Sequence, residues 1–171
     1  MGKPKDEKET KTFTWDSYFM SIALVTSLKS KDINTKVGAV LVDMDRHIIG
    51  TGYNGFPKGI DDDLFPSERD GHWLATKYLY VVHAELNCIL NSIASLKGST
   101  MYATLHPCNE CAKAIVQAGI TEVVYLFDKH HDDDAYVAVR KLLSLAGIRT
   151  RQMDADSIQG FVHMSEKFPY L

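Results

Sequence analysis

Cysteine is scarce in this chain, with three among 171 residues. That number is too small for a disulfide-stapled scaffold and suits a reducing compartment. There is no second Cys-x-x-Cys to complete a four-sulfur metal site. No apolar run approaches the ~20 residues that span a bilayer, and the opening residues do not read as a signal peptide. A cytoplasmic protein without a membrane partner is therefore expected. An excess of positive charge is also missing. The formal net charge of -3 gives no general attraction to nucleic acid, whose binding rests on Lys and Arg neutralising phosphates. No internal repeat is present. These absences favour a small-molecule substrate. The length fits one domain with enough interior for a core, and 45% hydrophobic with 24% charged residues is ordinary for a soluble protein.

What the chain does have is concentrated in His83-Ala84-Glu85 and Pro107-Cys108-Asn109-Glu110-Cys111. His83, Cys108 and Cys111 supply three ligands of the kind Zn²⁺ takes in a tetrahedral shell, leaving a fourth position open, as a catalytic zinc requires. Such an ion lowers the pKa of water enough to supply hydroxide near neutrality. Glu85 is adjacent and not needed as a ligand, so it is free to move protons. His-x-Glu followed by Pro-Cys-x-x-Cys is the signature of zinc nucleobase deaminases. Taken alone, a Cys-x-x-Cys is as readily a redox pair or half a structural zinc site. Cys88, one turn beyond Glu85 on an apolar helix, reads as packing.

Residues 1–12 are polar and charged without apolar period and are expected to be a disordered tail. Trp15, Tyr18, Phe19, Ile22, Ala23 and Leu28 predict a helix, with Asp16 and Ser17 near its start. Residues 37–42 and 47–53 predict a hairpin of buried strands around a polar turn at 43–46. Residues 54–82 have no clear period, and so long a stretch in one domain is usually functional. The apolar run 80–82 suggests a strand leading into a helix opened by His83 and carrying Leu86, Ile89, Leu90 and Ile93. A strand over 99–104 then leads into a helix from Cys108 to about Ala118, with Pro107 suited to its first turn and Gly119 to its C-cap. A strand over 122–127, a helix through Ala135, Val139, Leu142, Leu143 and Ala146, and a fifth strand over 148–153 complete the pattern. The domain is expected over 13–153. Residues 154–171 form a tail whose Phe161, Val162, Phe168 and Tyr170 are apolar enough to pack on it. The alternation predicts one mixed sheet with helices on both faces, and ligands in such sheets bind outside the strand ends, where the motif residues fall.

Ser30-Lys31-Asp32, Val37-Gly38-Ala39, Gly52-Tyr53-Asn54-Gly55, Tyr80 through Asn87, Pro107 through Ala112, Gln117 through Ile120 and Asp128 through Asp132 together resemble the cytidine deaminase superfamily and, within it, the deoxycytidylate (dCMP) deaminases. The resemblance covers roughly residues 14–153. It implies a three-layer αβα domain of the α/β class, with a five-stranded mixed sheet. It implies zinc-dependent hydrolysis of dCMP to dUMP and ammonia, feeding thymidylate synthesis. It also implies a homo-hexamer activated by dCTP and inhibited by dTTP. Glu85 would be the catalytic proton carrier, and Ala84 and Asn54 substrate contacts, Asn54 on the sugar 3′-hydroxyl. Asn54 beside Gly55 is also an ordinary turn residue. Ser30 and Lys31, or Lys129 and His130, are candidates for the substrate phosphate. Gly52, Tyr53, Gly55 and Asn87 are the expected effector contacts: the glycines let a ligand approach, while Tyr53 and Asn54 point to opposite sides of the strand. Asp61-Asp62-Asp63 could hold Mg²⁺ on a triphosphate effector or simply be a solvated run. With no cysteine to spare beyond Cys88, and His72 alone unable to build a second site, one zinc per chain is expected. tRNA adenosine deaminases use the same zinc motif but need a basic face for RNA. A non-catalytic zinc module is the other rival, and it has no use for Glu85.

Overall fold

Strand β1 (Gly38–Val42) is buried along its whole length. Both of its faces are covered, which is why it reads as an unbroken apolar run rather than an alternation. The structure, a computed structural model, describes residues 13–158; the expected N-terminal tail and the apolar residues from Phe161 to Tyr170 lie outside the described residues. Strand β2 (Ile48–Tyr53) pairs antiparallel with β1 through a hairpin, with a register shift between Leu41 and Val42. Strand β3 (Thr100–Leu105) pairs antiparallel with the other edge of β1, and β4 (Glu122–Phe127) and β5 (Arg149–Gln152) follow in parallel. The order is β2-β1-β3-β4-β5 in one five-stranded sheet.

Successive strand residues point to opposite faces, and each face has its own core. Helix α1 (Trp15–Ser27) lays Phe19, Met20 and Ala23 against Val40, Val42, Tyr102, Val124 and Leu126. On the other face α2 (Ala84–Leu90), α3 (Asn109–Gln117) and α4 (Asp134–Leu145) bring Ala84, Cys88, Ala112, Ile115, Val139 and Leu143 against Ala39, Leu41, Met101, Ala103 and Val123. The expected three-layer αβα arrangement around a five-stranded mixed sheet is thus the observed one. After β5 a short 3₁₀ turn, Ala155–Ile158, returns to α1, where the Ser17 hydroxyl donates to the Ser157 carbonyl at 2.9 Å.

Several local expectations change. Residues 80–82 are not a strand. Lys77–Leu79 is a 3₁₀ turn, and only Val82 pairs, exchanging backbone hydrogen bonds of 2.8 and 3.1 Å with Gly55. Helix α2 stops at Leu90, because the Ile93 N–H is claimed by the Ile49 carbonyl of β2. Ile93 therefore lies beyond the helix and is 87% exposed. Pro107 stands before α3 rather than in its first turn, since Cys108 is the N-cap. Helix α1 is capped by the Thr14 hydroxyl, which accepts from the Ser17 N–H at 3.1 Å. Gly119 does end α3, in the left-handed region at φ 75°.

One close approach ties the sheet to the motif. A Cβ on Gly52 would sit 2.3 Å from both the Ala84 carbonyl oxygen and the Cys88 nitrogen. Strand β2 therefore passes directly beneath the first turn of α2, and only a residue without a side chain fits there.

Candidate active site

His83 and Cys108 are both N-cap residues, of α2 and α3, and neither side chain caps its own helix. Ser, Thr, Asp or Asn would turn back onto the backbone at such a position. Here the side chains turn towards each other instead. His83 Nδ1 lies 3.2 Å from Cys108 Sγ and 3.5 Å from Cys111 Sγ. All three ligand atoms fall within 4.8 Å of one another. The edges of a zinc tetrahedron built on nitrogen and sulfur ligands are roughly 3.5–3.8 Å, so this donor set fits that ion. The helix N-termini add positive partial charge, which favours thiolate. The hydrogen bond from Cys111 holds the Cys108 thiol below its usual range despite burial, with His83 adding to the effect, while Cys111 itself is pushed up. His83 is raised to about 8, chiefly by its bond to Cys108.

Glu85 occupies the first turn of α2 and is 4% exposed. Burial pushes its carboxyl up to about 7; a bound cation would act in the opposite sense. Ala84, Glu85, His83 and Cys108 line a cavity of about 200 Å³ together with Asn54, Lys129 and His130. Of the residues expected at the substrate, these are the ones the fold brings together.

Asn54 is buried and its amide is already engaged. Its Oδ1 accepts from the Val37 N–H at 2.8 Å and its Nδ2 donates to the Thr35 carbonyl at 3.0 Å. One Oδ1 lone pair remains for a ligand hydroxyl. Ser30 is not in the cavity wall: it is buried, and its hydroxyl donates to the Asn54 carbonyl at 2.8 Å. Lys31 points away to an ion pair with Asp62 at 2.7 Å, with 83% of its side chain exposed. It lines a second cavity of about 650 Å³ with Tyr53, Gly55, Lys58, Asp62 and Phe65. Gly52 is under α2 rather than in that cavity, and the Asn87 amide donates to the Tyr53 carbonyl at 2.8 Å, bracing the segment. Of the acidic run, Asp61 caps a 3₁₀ turn, Asp62 holds Lys31, and Asp63 lines the second cavity.

The first cavity also has residues that motif reading did not assign a role. Arg69, Lys77 and Tyr78 come from the aperiodic stretch, Asp32 from the link before β1, and His106 and Tyr136 from either side of α3. Lys77 and Asp32 form an ion pair with side chains 9% and 10% exposed. Burial opposes ionisation of Asp32, but Lys77 and the N–H groups of Asn34 and Thr35 hold its carboxyl below its usual range. Asp32, Asn54, Lys77 and Val81 line both cavities and form the wall between them. Rings continue along the opposite side: His106 meets the edge of Tyr125 at 4.7 Å, and Tyr136 stacks on His130 at 5.1 Å. Among the cavity cations, Lys77 is paired with Asp32 and Arg69 donates to the Tyr78 hydroxyl at 3.0 Å. Lys129 has no hydrogen bond or ion pair to any described residue.

Residues 13–127 match the family model described as the cytidine and deoxycytidylate deaminase zinc-binding region. A deoxycytidylate deaminase of Homo sapiens is 46% identical over 154 residues, covering 89% of this chain and 86% of that protein. One of Mus musculus is 49% identical over 140 residues, covering 81% of this chain and 79% of that protein. Among solved structures, a dCMP deaminase from the cyanophage S-TIM5, in complex with dCMP and dUMP, superposes with a TM-score of 0.64 at 28% identity, covering 80% of this chain and 94% of that one.

Proposed function

The chain belongs to the cytidine and deoxycytidylate deaminase zinc-binding family, and from that premise we propose that it hydrolyses the 4-amino group of dCMP, giving dUMP and ammonia. One observation carries this reading. A single cavity is lined by His83 and Cys108, by the buried Glu85, and by Lys129, a cation with no hydrogen bond or ion pair to any described residue. His83, Cys108 and Cys111 would hold one Zn²⁺ per chain, which when bound lowers the pKa of water towards neutrality and so makes hydroxide available for attack at C4. Glu85 would take one proton from the water and deliver it to the ring N3, then take the proton of the hydroxyl newly bonded to C4 and give it to the amine, so that the C4–N bond breaks, the C4 carbonyl forms and ammonia leaves. Its place in the first turn of α2, lining the same cavity as His83 and Cys108, sets the carboxyl where protons must be taken and given. The aromatic wall of His106 and Tyr136 gives a flat ring a face to lie on. Asn54, held by Val37 and Thr35, presents its spare lone pair to the sugar 3′-hydroxyl, and the Ala84 backbone lies along the base. Lys129, with His130 beside it, takes the 5′-phosphate.

The test is ammonia release. dCMP should be deaminated with much higher kcat/KM than deoxycytidine, because only the nucleotide engages Lys129. Equal efficiency on the two would refute the phosphate handle, and no release from either would refute the reaction.

The same reading extends to control and assembly. dCTP would bind in the second cavity and activate, and dTTP would inhibit. Tyr53 and Gly55 would contact the base and sugar, while Lys31 and Lys58 would meet the phosphates. Mg²⁺ would accompany the triphosphate, with Asp62 or Asp63 as oxygen ligands. The wall of Asp32, Asn54, Lys77 and Val81 supports this, since both ligands would press on it. A dCMP saturation curve should move to lower concentration with dCTP and to higher with dTTP, by the ~5–150-fold range of such couplings. Curves that superimpose at saturating effector would remove regulation and leave deamination intact. We place the enzyme in the cytoplasm as a homo-hexamer that supplies dUMP for thymidylate synthesis. No helix among the described residues is long and apolar enough to cross a membrane.

A further inference from the structure

The segment 128–133 joins β4 to α4 and carries Lys129 and His130 into the catalytic cavity. Its neighbouring side chains do something else. The Asp128 side chain is only 7% exposed, and one of its oxygens, Oδ1, has no hydrogen-bond partner among the described residues. Its Oδ2 accepts from His131 Nδ1 at 2.6 Å and lies 3.9 Å from the Arg140 guanidinium. Arg140, two turns along α4, reaches back and donates from Nη2 to the His131 carbonyl at 2.6 Å. A buried carboxylate is costly, and one with half its acceptors unmet contributes little to stability. What it does achieve is geometric. Asp128, His131 and Arg140 close a loop of contacts that fixes both ends of the turn on which Lys129 stands. His130 is fixed separately, by Asp133 at 2.9 Å and by stacking on Tyr136.

From this we infer that Arg140 is a positioning residue for substrate phosphate: through His131 and Asp128 it holds the turn so that the Lys129 ammonium stays in the cavity. The inference rests on the reading of Lys129 as the phosphate contact. Arg140 does not line the cavity and touches neither the candidate metal ligands nor Glu85. Its loss should therefore act on the phosphate and leave the chemical step alone. A residue that only stabilised α4 would affect every ligand of the cavity alike.

dUMP and deoxyuridine differ only in the phosphate, so their inhibition constants against dCMP isolate it. In Arg140→Ala, dUMP should bind about tenfold more weakly, the size of one lost hydrogen bond to a charged group, while deoxyuridine is unchanged. KM for dCMP should rise in step, with kcat held, the pattern of lost uniform binding. Arg140→Lys keeps the charge but lacks the planar fork that reaches the His131 carbonyl, so it should show the same loss in a protein with less disturbed packing. Lys129→Ala should weaken dUMP at least as much, and adding Arg140→Ala to it should cost nothing more, because both act on one contact. Equal weakening of dUMP and deoxyuridine in both Arg140 variants, or additive losses in the double variant, would overturn the tether. A Lys129→Ala protein that still distinguishes dUMP from deoxyuridine as the parent does would overturn the Lys129 reading and the tether with it. An unaltered Arg140→Ala beside an impaired Lys129→Ala would overturn the tether alone.

Discussion

Glu85→Gln is expected to keep its metal and lose ~10²–10⁴-fold in turnover on dCMP, the usual worth of a general acid–base group. Glutamine has the shape of the carboxylate and is tolerated in the same buried first turn of α2. It can accept a hydrogen bond but cannot take a proton. The cluster of His83, Cys108 and Cys111 does not include residue 85, so metal content should match that of the parent at one ion per chain. Cys108→Ser is the contrasting variant. It replaces the sulfur donor that faces His83 Nδ1 at 3.2 Å, and should lose metal and activity together. Near-normal turnover in Glu85→Gln would remove Glu85 from the chemistry. Two ions per parent chain, or metal retained in full by Cys108→Ser, would remove the assigned ligand set.

The other large effect is expected at Gly52→Ala. The added methyl would meet the Ala84 carbonyl oxygen and the Cys88 nitrogen, each at 2.3 Å. Both are backbone atoms of α2, so neither can rotate away, and the helix itself must lift or β2 must sink. Overpacking of this kind costs at least about 3 kcal/mol, towards the upper end of its range because no side chain can yield. For a domain of this size that corresponds to a fall of roughly 6–12 °C in Tm. Activity should suffer at temperatures where the variant is still folded, since the displaced turn carries Ala84 and Glu85. A thermal melt within a degree of the parent, with unchanged kcat, would show that room exists beneath α2.

Much of this architecture could be read from residue order. The hairpin, β3, β4, α3 and α4 announce themselves because each buries one consistent face or both, and burial imposes period. The candidate metal donors and Glu85 are legible for a different reason, namely that chemistry restricts residue type and helix geometry restricts spacing. Legibility fails where neither constraint operates. Residues 80–82 look like a strand because they are apolar, yet Tyr80 and Val81 donate back to the Lys77 carbonyl, Val81 lines the cavity wall, and only Val82 forms a bridge, to Gly55. Helix α2 looks longer than it is because Leu90 and Ile93 continue its period while facing solvent, at 69% and 87% exposed. Ser30 and Lys31 sit together in sequence and part in space, one buried under Asn54 and the other paired with Asp62. The pair of Asp32 with Lys77 joins residues 45 apart in the chain through a segment with no period at all. Arg140 hides in the pattern of an ordinary surface helix position, and only its reach back to His131 gives it a role.

Cys88 lies at the centre of one core, fully buried, with its thiol pushed up to about 12 by burial. A thiol in that state offers no thiolate to an oxidant or an alkylating agent while the fold persists. The cysteines thereby divide into one inert thiol and a pair, Cys108 and Cys111, whose sulfurs face His83 Nδ1 at 3.2 and 3.5 Å. Among the three cysteines, attack on the folded protein is confined to Cys108 and Cys111, which is also where a bound metal would leave. With a metal held there, its loss, the appearance of titratable thiol and inactivation would be a single event, and the third thiol would keep silent until the molecule unfolds.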